Sequence, residues 1–410
     1  MSDGATGRVW RRRVFYVPGY DPFHPRRYRE LYRKEGAAQA AISGYELSLR
    51  SKQGEGPYGW HVTASMDGNA VEADVEVLVW SDIVRASMGH SIPATYAQLA
   101  RTAWVYLRSG VLFRVARLRK GPTIAALYPV VALTVELVAA LLLGWAAGAV
   151  AAQAFSAAAP AMANWIGWGS GIAVAFAMLA WFRRIDGRIY AYYLMHDYAH
   201  GAQAWGAYPA ELEDRLGAFR ETVARAMRED WDEVLVVGHS SGAHLAVSVL
   251  ADLIRAGGAP EGRPALGFLS LGQVVPMVAF LPRARRLRAD LAYLSAREEL
   301  TWVDVTAPGD GCAFALCDPV SVTGVAPPGK RWPLVISAAF TQTLSPARWK
   351  ELRWRFFRLH FQYLCAFDRP GDYDYFRITA GPLTLAERFR RRDPSKSRIE
   401  TPMSGYRDVA

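Results

Sequence analysis

The sequence predicts an α/β protein with a mostly parallel, doubly wound sheet, into which a pair of membrane-spanning helices is inserted. Two observations predict this arrangement. Short runs rich in Val, Ile and Leu alternate with longer segments of helical periodicity, which is the pattern of strands and crossover helices in a parallel sheet. Near the centre of the chain lie two long apolar runs that contain one charged residue in total.

Composition excludes several classes of protein. Of 410 residues, 51% are hydrophobic and 21% charged, so the chain has enough apolar surface to fold. Three cysteines are too few for a disulfide framework. The excess of 48 basic over 38 acidic residues favours an anionic partner. We find no basic segment interleaved with aromatic residues, so we expect a membrane surface as the partner and no nucleic acid.

Before the apolar runs, the elements alternate between strand and helix. The pattern predicts a strand at 14–17, a basic helix at 25–41, a β-hairpin of 45–50 with 60–65, a buried strand at 75–80, and an amphipathic helix at 92–118. We expect residues 14–120 and 185–380 to form one discontinuous domain.

The two apolar runs cover residues 124–150 and 165–182. As helices they would be about 40 Å and 27 Å long, and a bilayer core needs roughly 20 residues. We therefore predict a transmembrane hairpin over 121–184, with helices at about 124–150 and 163–182. A pair of buried core helices is the alternative, but both runs are apolar on every face, and a core helix normally keeps a polar stripe.

The flanks of the hairpin predict its orientation. Basic residues cluster before the first helix and after the second, and the connecting stretch has none: Arg114, Arg117, Arg119, Lys120, Arg183, Arg184 and Arg188. The positive-inside rule then places both termini and the α/β domain in the cytoplasm.

Within the hairpin, a few residues stand out by type. Glu136 lies near the middle of the first helix, where we expect it to bond to the second helix or to another copy of the chain rather than to relay protons. Glycines at 144, 148, 167, 169 and 171 would let helices approach closely, either within one chain or in a homo-oligomer formed through the hairpin.

After the hairpin, strands and helices alternate again. The pattern predicts helices at 208–229 and 243–255 and strands at 234–237, 266–271, 302–305 and 334–340. Residues 381–410 read as a basic, loosely ordered C-terminal tail.

One pentapeptide in this region suggests chemistry. Gly238-His239-Ser240-Ser241-Gly242 has the form G-x-S-x-G and lies between the predicted strand at 234–237 and the helix at 243–255. A sharp turn between a strand and a helix can hold a serine hydroxyl above the sheet edge. Side chains at positions 238 and 242 would clash with the neighbouring strand and helix, so both need to be glycine. Ser240 is therefore the predicted nucleophile.

This motif in its context resembles the serine esterases and lipases of the α/β-hydrolase fold, over residues 14–90 and 190–380. The resemblance implies the order nucleophile, acid, histidine. Of the two histidines beyond the pentapeptide, His244 lies on the outgoing helix and points away from Ser240, so His360 is the expected base. Asp310, in the loop after the 302–305 strand, is the expected acid, with Asp304 and Asp318 as alternatives.

The resemblance also implies an oxyanion hole formed by the backbone N–H groups of Ser241 and Tyr20. Pro18-Gly19-Tyr20 stands where the family often has His-Gly-x. The implied function is hydrolysis of carboxylic esters, with lipid or acyl esters among the expected substrates and no cofactor. The alternative is a catalytically silent membrane assembly or interaction protein with this fold.

A rival cluster suggests metal binding. His196 and His200 are spaced i, i+4 and could lie on one face of a helix. A zinc protease needs Glu in the position of Asp197 and a third ligand, and neither is present in the sequence around this pair. We predict no metal site.

Overall fold

The computed structural model describes residues 7–54, 56–89, 91–259, 262 and 264–409. Its main feature is a sheet of eight strands in the order β2-β3-β4-β1-β5-β6-β7-β8. The strands are β1 (Arg11–Val17), β2 (Glu46–Ser51), β3 (Gly59–Met66), β4 (Asn69–Val77), β5 (Glu233–His239), β6 (Ala265–Leu271), β7 (Leu300–Thr306) and β8 (Leu334–Ser337).

The pairing of the strands makes the sheet mixed but mostly parallel. β1 lies between β4 and β5 and is parallel to both, and β5 to β8 continue the parallel set. β2, β3 and β4 pair antiparallel at one edge. The predicted α/β class and mostly parallel sheet are confirmed. The strand predicted at 75–80 begins earlier, at Asn69, because it also forms a tight hairpin with β3 through Asp67 and Gly68, both at positive φ.

The helices divide between the connections of the sheet and the inserted region. They are α1 (Arg26–Ser43), α2 (Ser81–Ser87), α3 (Ile92–Arg108), α4 (Val111–Leu118), α5 (Lys120–Phe155), α6 (Pro160–Arg184), α7 (Asp186–Ile189), α8 (Ala191–Ala202), α9 (Ala210–Ala226), α10 (Ser241–Arg255), α11 (Val275–Ala279), α12 (Arg285–Ser295), α13 (Pro319–Thr323), α14 (Phe340–Thr343), α15 (Pro346–Leu352), α16 (Phe356–His360), α17 (Tyr375–Ala380) and α18 (Leu385–Phe389). A 3₁₀ turn covers Gln362–Leu364.

Helices cover both faces of the sheet. On one face, α1, α17 and α18 contribute to an apolar cluster with alternate residues of the central strands, such as Leu235 and Val237 of β5. α10 packs on β5 and β1, and α9 and α12 pack against α10. Because no α10 residue belongs to that cluster, α10 covers the opposite face. Burial on both faces explains why β5 is a continuous apolar run in the sequence.

The chain divides into two compact units. The sheet unit contains Met1–Ala86, Ser109–Pro122 and Ala204–Ala410, and the helical unit contains Ser87–Arg108 and Thr123–Gln203. The helical unit is therefore larger than the predicted hairpin at both ends. One cause is a break in the helix predicted at 92–118, which the structure divides into α3 and α4. Gly110 lies at the break with φ +71, a left-handed conformation that a continuous helix does not contain.

Two helices of the helical unit, α5 and α6, are long and apolar enough to cross a membrane by length and composition. They extend the predicted helices by a few residues at both ends. Only 22% of an apolar 18-residue stretch of α5 and 6% of one of α6 are buried, whereas a core helix of a soluble protein would be mostly buried. Tryptophans at 145, 165 and 168 are each more than 70% exposed.

Four glycines of these two helices, at 144, 148, 167 and 171, lie where α5 and α6 cross. A Cβ built on Gly144 would lie 2.6 Å from the carbonyl oxygen of Gly171, and one on Gly148 would lie 2.7 Å from that of Gly167. Gly169 has no atom within 4 Å of such a Cβ. The close approach that the sequence predicts is thus made within one chain. Glu136 is buried, and its Oε2 has no hydrogen-bond partner among the described residues.

The C-terminal segment is more ordered than the sequence predicts. α18 buries Leu385 and Phe389 against the sheet unit, and Ile399 forms a bridge with Cys317. Near the end, Asp408 pairs with the buried guanidinium of Arg288 at 2.8 Å. A charge-rich segment can pack in this way because its few apolar and acidic residues find specific partners in the sheet unit.

Candidate active site

The turn between β5 and α10 holds Ser240 in a strained backbone conformation. Its φ and ψ are +56° and −123°, a region that non-glycine residues rarely adopt. The Ser240 N–H donates to the carbonyl oxygen of Leu271 at the end of β6, 2.9 Å away. This bond and the close packing described below hold the serine at the carboxyl edge of the sheet.

The two glycines of the pentapeptide are required by close backbone contacts. A Cβ built on Gly238 would lie 2.7 Å from Cα of Ala243 in α10. One built on Gly242 would lie 2.1 Å from the carbonyl oxygen of Val17 at the end of β1. No real Cβ tolerates such distances to backbone atoms, so only glycine lets α10 begin so close to β1.

The loop that follows β1 packs directly against the serine. A Cβ built on Gly19 would lie 2.9 Å from Cβ of Ser240. The indole of Trp80 donates to the carbonyl oxygen of Pro18 at 2.9 Å, and this bond holds the start of the loop. Tyr20 is buried next in the chain. Ser241 is the first residue of α10, where a backbone N–H has no partner within the helix. Both predicted oxyanion donors thus belong to segments that adjoin Ser240.

The predicted acid and base meet on neighbouring loops. The Nδ1–H of His360 donates to Oδ2 of Asp310 at 2.7 Å, and both side chains are buried. Oδ1 of Asp310 accepts from the Cys312 N–H at 2.9 Å. Burial alone would raise the pKa of Asp310, but the His360 imidazole and the hydrogen bonds hold it below the usual range. Asp310 is therefore an ionised acceptor for His360.

The contacts of His360 with His239 and Gly272 place its ring close to Ser240. Its ring packs on that of His239, the residue before Ser240, with centroids 4.9 Å apart. A Cβ built on Gly272, which follows the residue that binds the Ser240 N–H, would lie 3.1 Å from Cε1 of His360. In the described part of the chain, no hydrogen bond joins the Ser240 hydroxyl to His360. Such bonds are often long before a substrate binds.

The two alternative acids have other partners. Asp304 lies inside β7 and accepts from the hydroxyl of Ser270 at 2.5 Å. Burial raises its pKa to about 8, so it is protonated at neutral pH. Asp318 caps α13 by accepting from the N–H groups of its first turn and pairs with Lys330 at 2.6 Å. Of the three carboxyl groups, Asp310 is the one in contact with His360.

The structure adds Tyr363 and Gly272 to the site. The hydroxyl of Tyr363 donates to Oδ2 of Asp310 at 3.0 Å and accepts from the Ala307 N–H at 3.0 Å. Tyr363 thereby ties the acid to the end of β7. Gly272 has φ +53, and a Cβ there would lie 2.7 Å from the Tyr363 ring. Its place directly after an apolar strand was the one sequence signal for Gly272; Tyr363 has none.

His244, the histidine set aside in the sequence, faces away from the acid–base pair. Its Nδ1 contacts the hydroxyl of Tyr208 at 2.8 Å, on the side of the sheet covered by α10. This agrees with its position one turn into the outgoing helix.

Two groups of side chains have the residue types of a metal site. In the described part of the chain, Asp310, Cys312 and His360 place one ligand atom each within 4.8 Å of one another. One nitrogen, one oxygen and one sulfur donor would suit zinc, but here the imidazole and carboxylate bind each other directly, as an acid–base pair does. The other group is the His196 and His200 pair on α8, in which Nδ1 of His196 lies 2.9 Å from the side-chain oxygen of Gln98.

Comparisons with known proteins do not identify this site. Protein-family models, curated proteins and solved structures give no match to the chain. The site itself consists of a strained serine at the carboxyl edge of the sheet and, close to it, an imidazole held by a buried carboxylate.

Proposed function

We propose that the chain is a serine hydrolase that cleaves carboxylic esters by acyl transfer. The observation that carries the proposal is the buried His360–Asp310 pair at the same sheet edge as the strained Ser240. An imidazole held by a carboxylate in this way is poised to accept the proton of a nearby hydroxyl.

The proposed reaction has two stages. Nδ1 of His360 is bound to Asp310, so its Nε2 takes the proton as Oγ of Ser240 attacks the ester carbonyl carbon. The amides of Tyr20 and Ser241 would stabilise the oxyanion. His360 then protonates the leaving alcohol as the C–O bond breaks. Water repeats these steps on the acyl-enzyme and releases the acid and free serine.

We further propose that α5 and α6 anchor this hydrolase in a membrane, with the sheet unit and both termini in the cytoplasm. The support is the length, composition and exposed apolar surface of the two helices, together with the basic flanks. A membrane location favours lipid or long-chain acyl esters as substrates. Retention of the chain in membranes after alkaline extraction tests the anchor, and cleavage of the C-terminus by protease added outside intact cells would contradict the orientation.

Labelling of the full-length chain by a fluorophosphonate probe tests the chemistry. We expect labelling of the wild type and none of Ser240→Ala. Ser241→Ala is the matched control, because it retains the backbone N–H and should be labelled. His360→Gln and Asp310→Asn should be labelled slowly, whereas His244→Gln, Asp304→Asn and Asp318→Asn should resemble the wild type. No Ser240-dependent labelling of folded protein would contradict the proposal and leave a catalytically silent membrane module.

A further inference from the structure

The segment that leads to the proposed base exposes aromatic side chains. Trp354 is 72% exposed and Phe356 is 47% exposed, whereas four other tryptophans of the sheet unit are buried. The two exposed rings pack edge to face, with centroids 6.4 Å apart. Large aromatic groups exposed together on a folded unit are typical of a surface that contacts another phase or molecule.

The same segment is strongly basic. Between residues 346 and 360 there are five basic residues and one acidic residue, Glu351. Glu351 pairs with three arginines at once, Arg348 at 2.8 Å, Arg355 at 3.3 Å and Arg358 at 3.5 Å, so much positive charge is left over. We expected no segment that interleaves basic and aromatic residues. Residues 353–358, Arg-Trp-Arg-Phe-Phe-Arg, are such a segment, and we call them the docking segment.

The docking segment is held firmly over the loop that carries Asp310. Leu352 and Leu359, on either side of it, are buried in the apolar cluster of the sheet. A Cβ built on Gly311 would lie 3.2 Å from Cδ1 of Phe356. The two exposed rings therefore belong to an ordered segment, and Phe356 lies against Gly311, the residue that follows the proposed acid.

The loop at Gly311 also packs against the point at which the chain enters the first apolar helix. Gly121 lies in the first turn of α5, and a Cβ built on it would lie 2.9 Å from the carbonyl oxygen of Gly311. Lys120, which begins α5, is exposed beside it. The start of a candidate membrane span and the docking segment thus both lie against Gly311.

A second group of basic and aromatic side chains lies near the site. Phe23, 59% exposed, follows the loop after β1. The guanidinium of Arg27 lies over the ring of Phe23 at 4.8 Å and over that of Phe361 at 5.1 Å. Phe361 follows His360 and packs on His239 beside Ser240. Basic and aromatic groups from two segments of the chain therefore lie near the site.

We propose that the docking segment binds the anionic headgroup layer of the membrane that holds α5 and α6, so that the serine site opens towards the interface and receives ester substrates from it. Trp354 and Phe356 enter the interfacial layer, where aromatic rings concentrate. Arg353, Arg355 and Arg358 pair with lipid phosphates. This inference rests on the proposed function for the anchor and for the chemistry of Ser240.

Hydrogen–deuterium exchange of the full-length chain in lipid nanodiscs tests the docking. Discs of phosphatidylcholine are compared with discs that also contain phosphatidylglycerol. We expect exchange in residues 346–360 to slow by about ten-fold in the anionic discs, and high salt to remove this protection because it screens the charges. The variant Arg353→Glu/Arg355→Glu/Arg358→Glu should lose the protection.

A matched variant controls for the general effect of charge reversal. Arg220→Glu/Arg225→Glu/Arg228→Glu changes two arginines of α9 and one just after it in the same unit, and should keep the protection of 346–360. The salt dependence of the wild type serves as the test if the docking-segment variant does not fold. Equal exchange in both kinds of disc would overturn the proposal, and so would protection by a single-stranded RNA oligonucleotide without protection by anionic lipid.

Fluorophosphonate labelling of the same samples separates the two proposals. Normal Ser240 labelling without lipid protection contradicts the docking alone. Lipid protection without labelling contradicts the hydrolase and leaves the docking surface intact.

Discussion

In the sheet unit, Gly242 lets the start of α10 pass the carbonyl oxygen of Val17, and in the helical unit, Gly148 lets α5 cross α6 beside Gly167. Both contacts bring two backbones closer than side chains allow. Around Gly242 the contact fixes a strained conformation of a serine, whereas the helix crossing contains only regular α-helix. The comparison suggests that the glycines of the sheet unit are required for chemistry and those of the helical unit for packing.

The two units also differ in how far their tryptophan side chains are exposed. In the sheet unit Trp60, Trp80 and Trp302 are almost fully buried, whereas the five tryptophans of the helical unit are each more than half exposed. A soluble fold gains by removing such groups from water, by about 25 cal/mol for each Å² buried. The helical unit would gain as much only in an apolar surrounding. Variants at matched positions in the two units can therefore distinguish residues that the chemistry needs from residues that only pack.

The largest effect is expected for Gly242→Ala in the sheet unit. The new Cβ would lie 2.1 Å from one backbone oxygen, and backbone atoms cannot move aside cheaply. We expect a loss of about 3 kcal/mol or more in the free energy of unfolding and no probe labelling. Calorimetry of the detergent-solubilised chain measures the first and fluorophosphonate labelling the second.

Gly217→Ala is the control for that variant. It lies within α9, and no atom lies within 4 Å of its built Cβ, so we expect a gain of up to about 1 kcal/mol from helix propensity. If Gly242→Ala melts at the wild-type temperature and is labelled normally, the turn between β5 and α10 does not need glycine and the comparison fails.

The second-largest effect is expected for Asp304, a buried carboxyl group inside β7. Burial raises the pKa of Asp304 to about 8, against an ordinary value near 4 in the unfolded chain. The folded state then holds an extra proton in this range, so stability falls as pH rises from about 4 to 8 and levels off above. Asp304→Asn should remove this loss, at up to about 1.4 kcal/mol per pH unit.

Urea unfolding of both proteins between about pH 5 and pH 7 measures this difference. The wild type should weaken relative to Asp304→Asn as pH rises, and parallel curves would show that Asp304 does not titrate as proposed. Probe labelling of Asp304→Asn should be normal. A loss of labelling would instead favour Asp304 as the acid of the site.

A smaller effect is expected for Tyr363→Phe, which keeps the ring and removes one hydroxyl. Asp310 loses one hydrogen bond, and the Ala307 N–H loses its acceptor. A buried group left without its bond costs about 1 to 3 kcal/mol. We expect labelling of Ser240 to slow by about ten-fold, which is 1.4 kcal/mol in the barrier.

The pH profile of labelling distinguishes a positioning role from a structural one. With fewer donors to its carboxylate, Asp310 should become easier to protonate, and the acid limb of the profile should move to higher pH. Tyr373→Phe is the control, because its hydroxyl donates to the Tyr363 carbonyl oxygen and does not reach Asp310. A uniform loss of labelling at every pH in both variants would indicate that Tyr363 only supports the fold.

The sequence could predict the parts of the site that depend on neighbours along the chain. β5, Ser240 and α10 are consecutive, so their roles are readable from one pentapeptide and its flanks. The contact of His360 with Asp310 depends on the ends of separate strands, and the sequence left Asp304 and Asp318 open. Tyr363 carries no local signal, since a buried tyrosine in the core looks the same.

The fold shows the same limit. The apolar runs predict β5, β6 and β7 within one or two residues, because both faces of these strands are buried. The break at Gly110 and the order of the C-terminal segment depend on contacts distant in sequence, and both were missed. The extent of the helical unit was missed for the same reason, since α3 and α8 join it through packing around Leu99 and Tyr192.

The smallest effect is expected in the helical unit. Gly148→Ala and Gly169→Ala form a matched pair there, because Gly148 lies at the crossing of α5 and α6 and Gly169 is two residues from Gly167 at the same crossing. A Cβ at 148 would lie 2.7 Å from the Gly167 carbonyl oxygen, and one at 169 would contact nothing. Overpacking costs about 1 to 3 kcal/mol, and alanine returns up to about 1 kcal/mol of helix propensity. Gly148→Ala should therefore lower the free energy of unfolding by about 1 kcal/mol, whereas Gly169→Ala should leave it unchanged or raise it.

Calorimetry in detergent micelles measures the stability of both variants. Probe labelling should stay normal in each, because neither glycine belongs to the site. A Gly148→Ala protein as stable as Gly169→Ala would mean that α5 and α6 do not cross at these residues, and a loss of Ser240 labelling in either variant would show that the helical unit takes part in the chemistry.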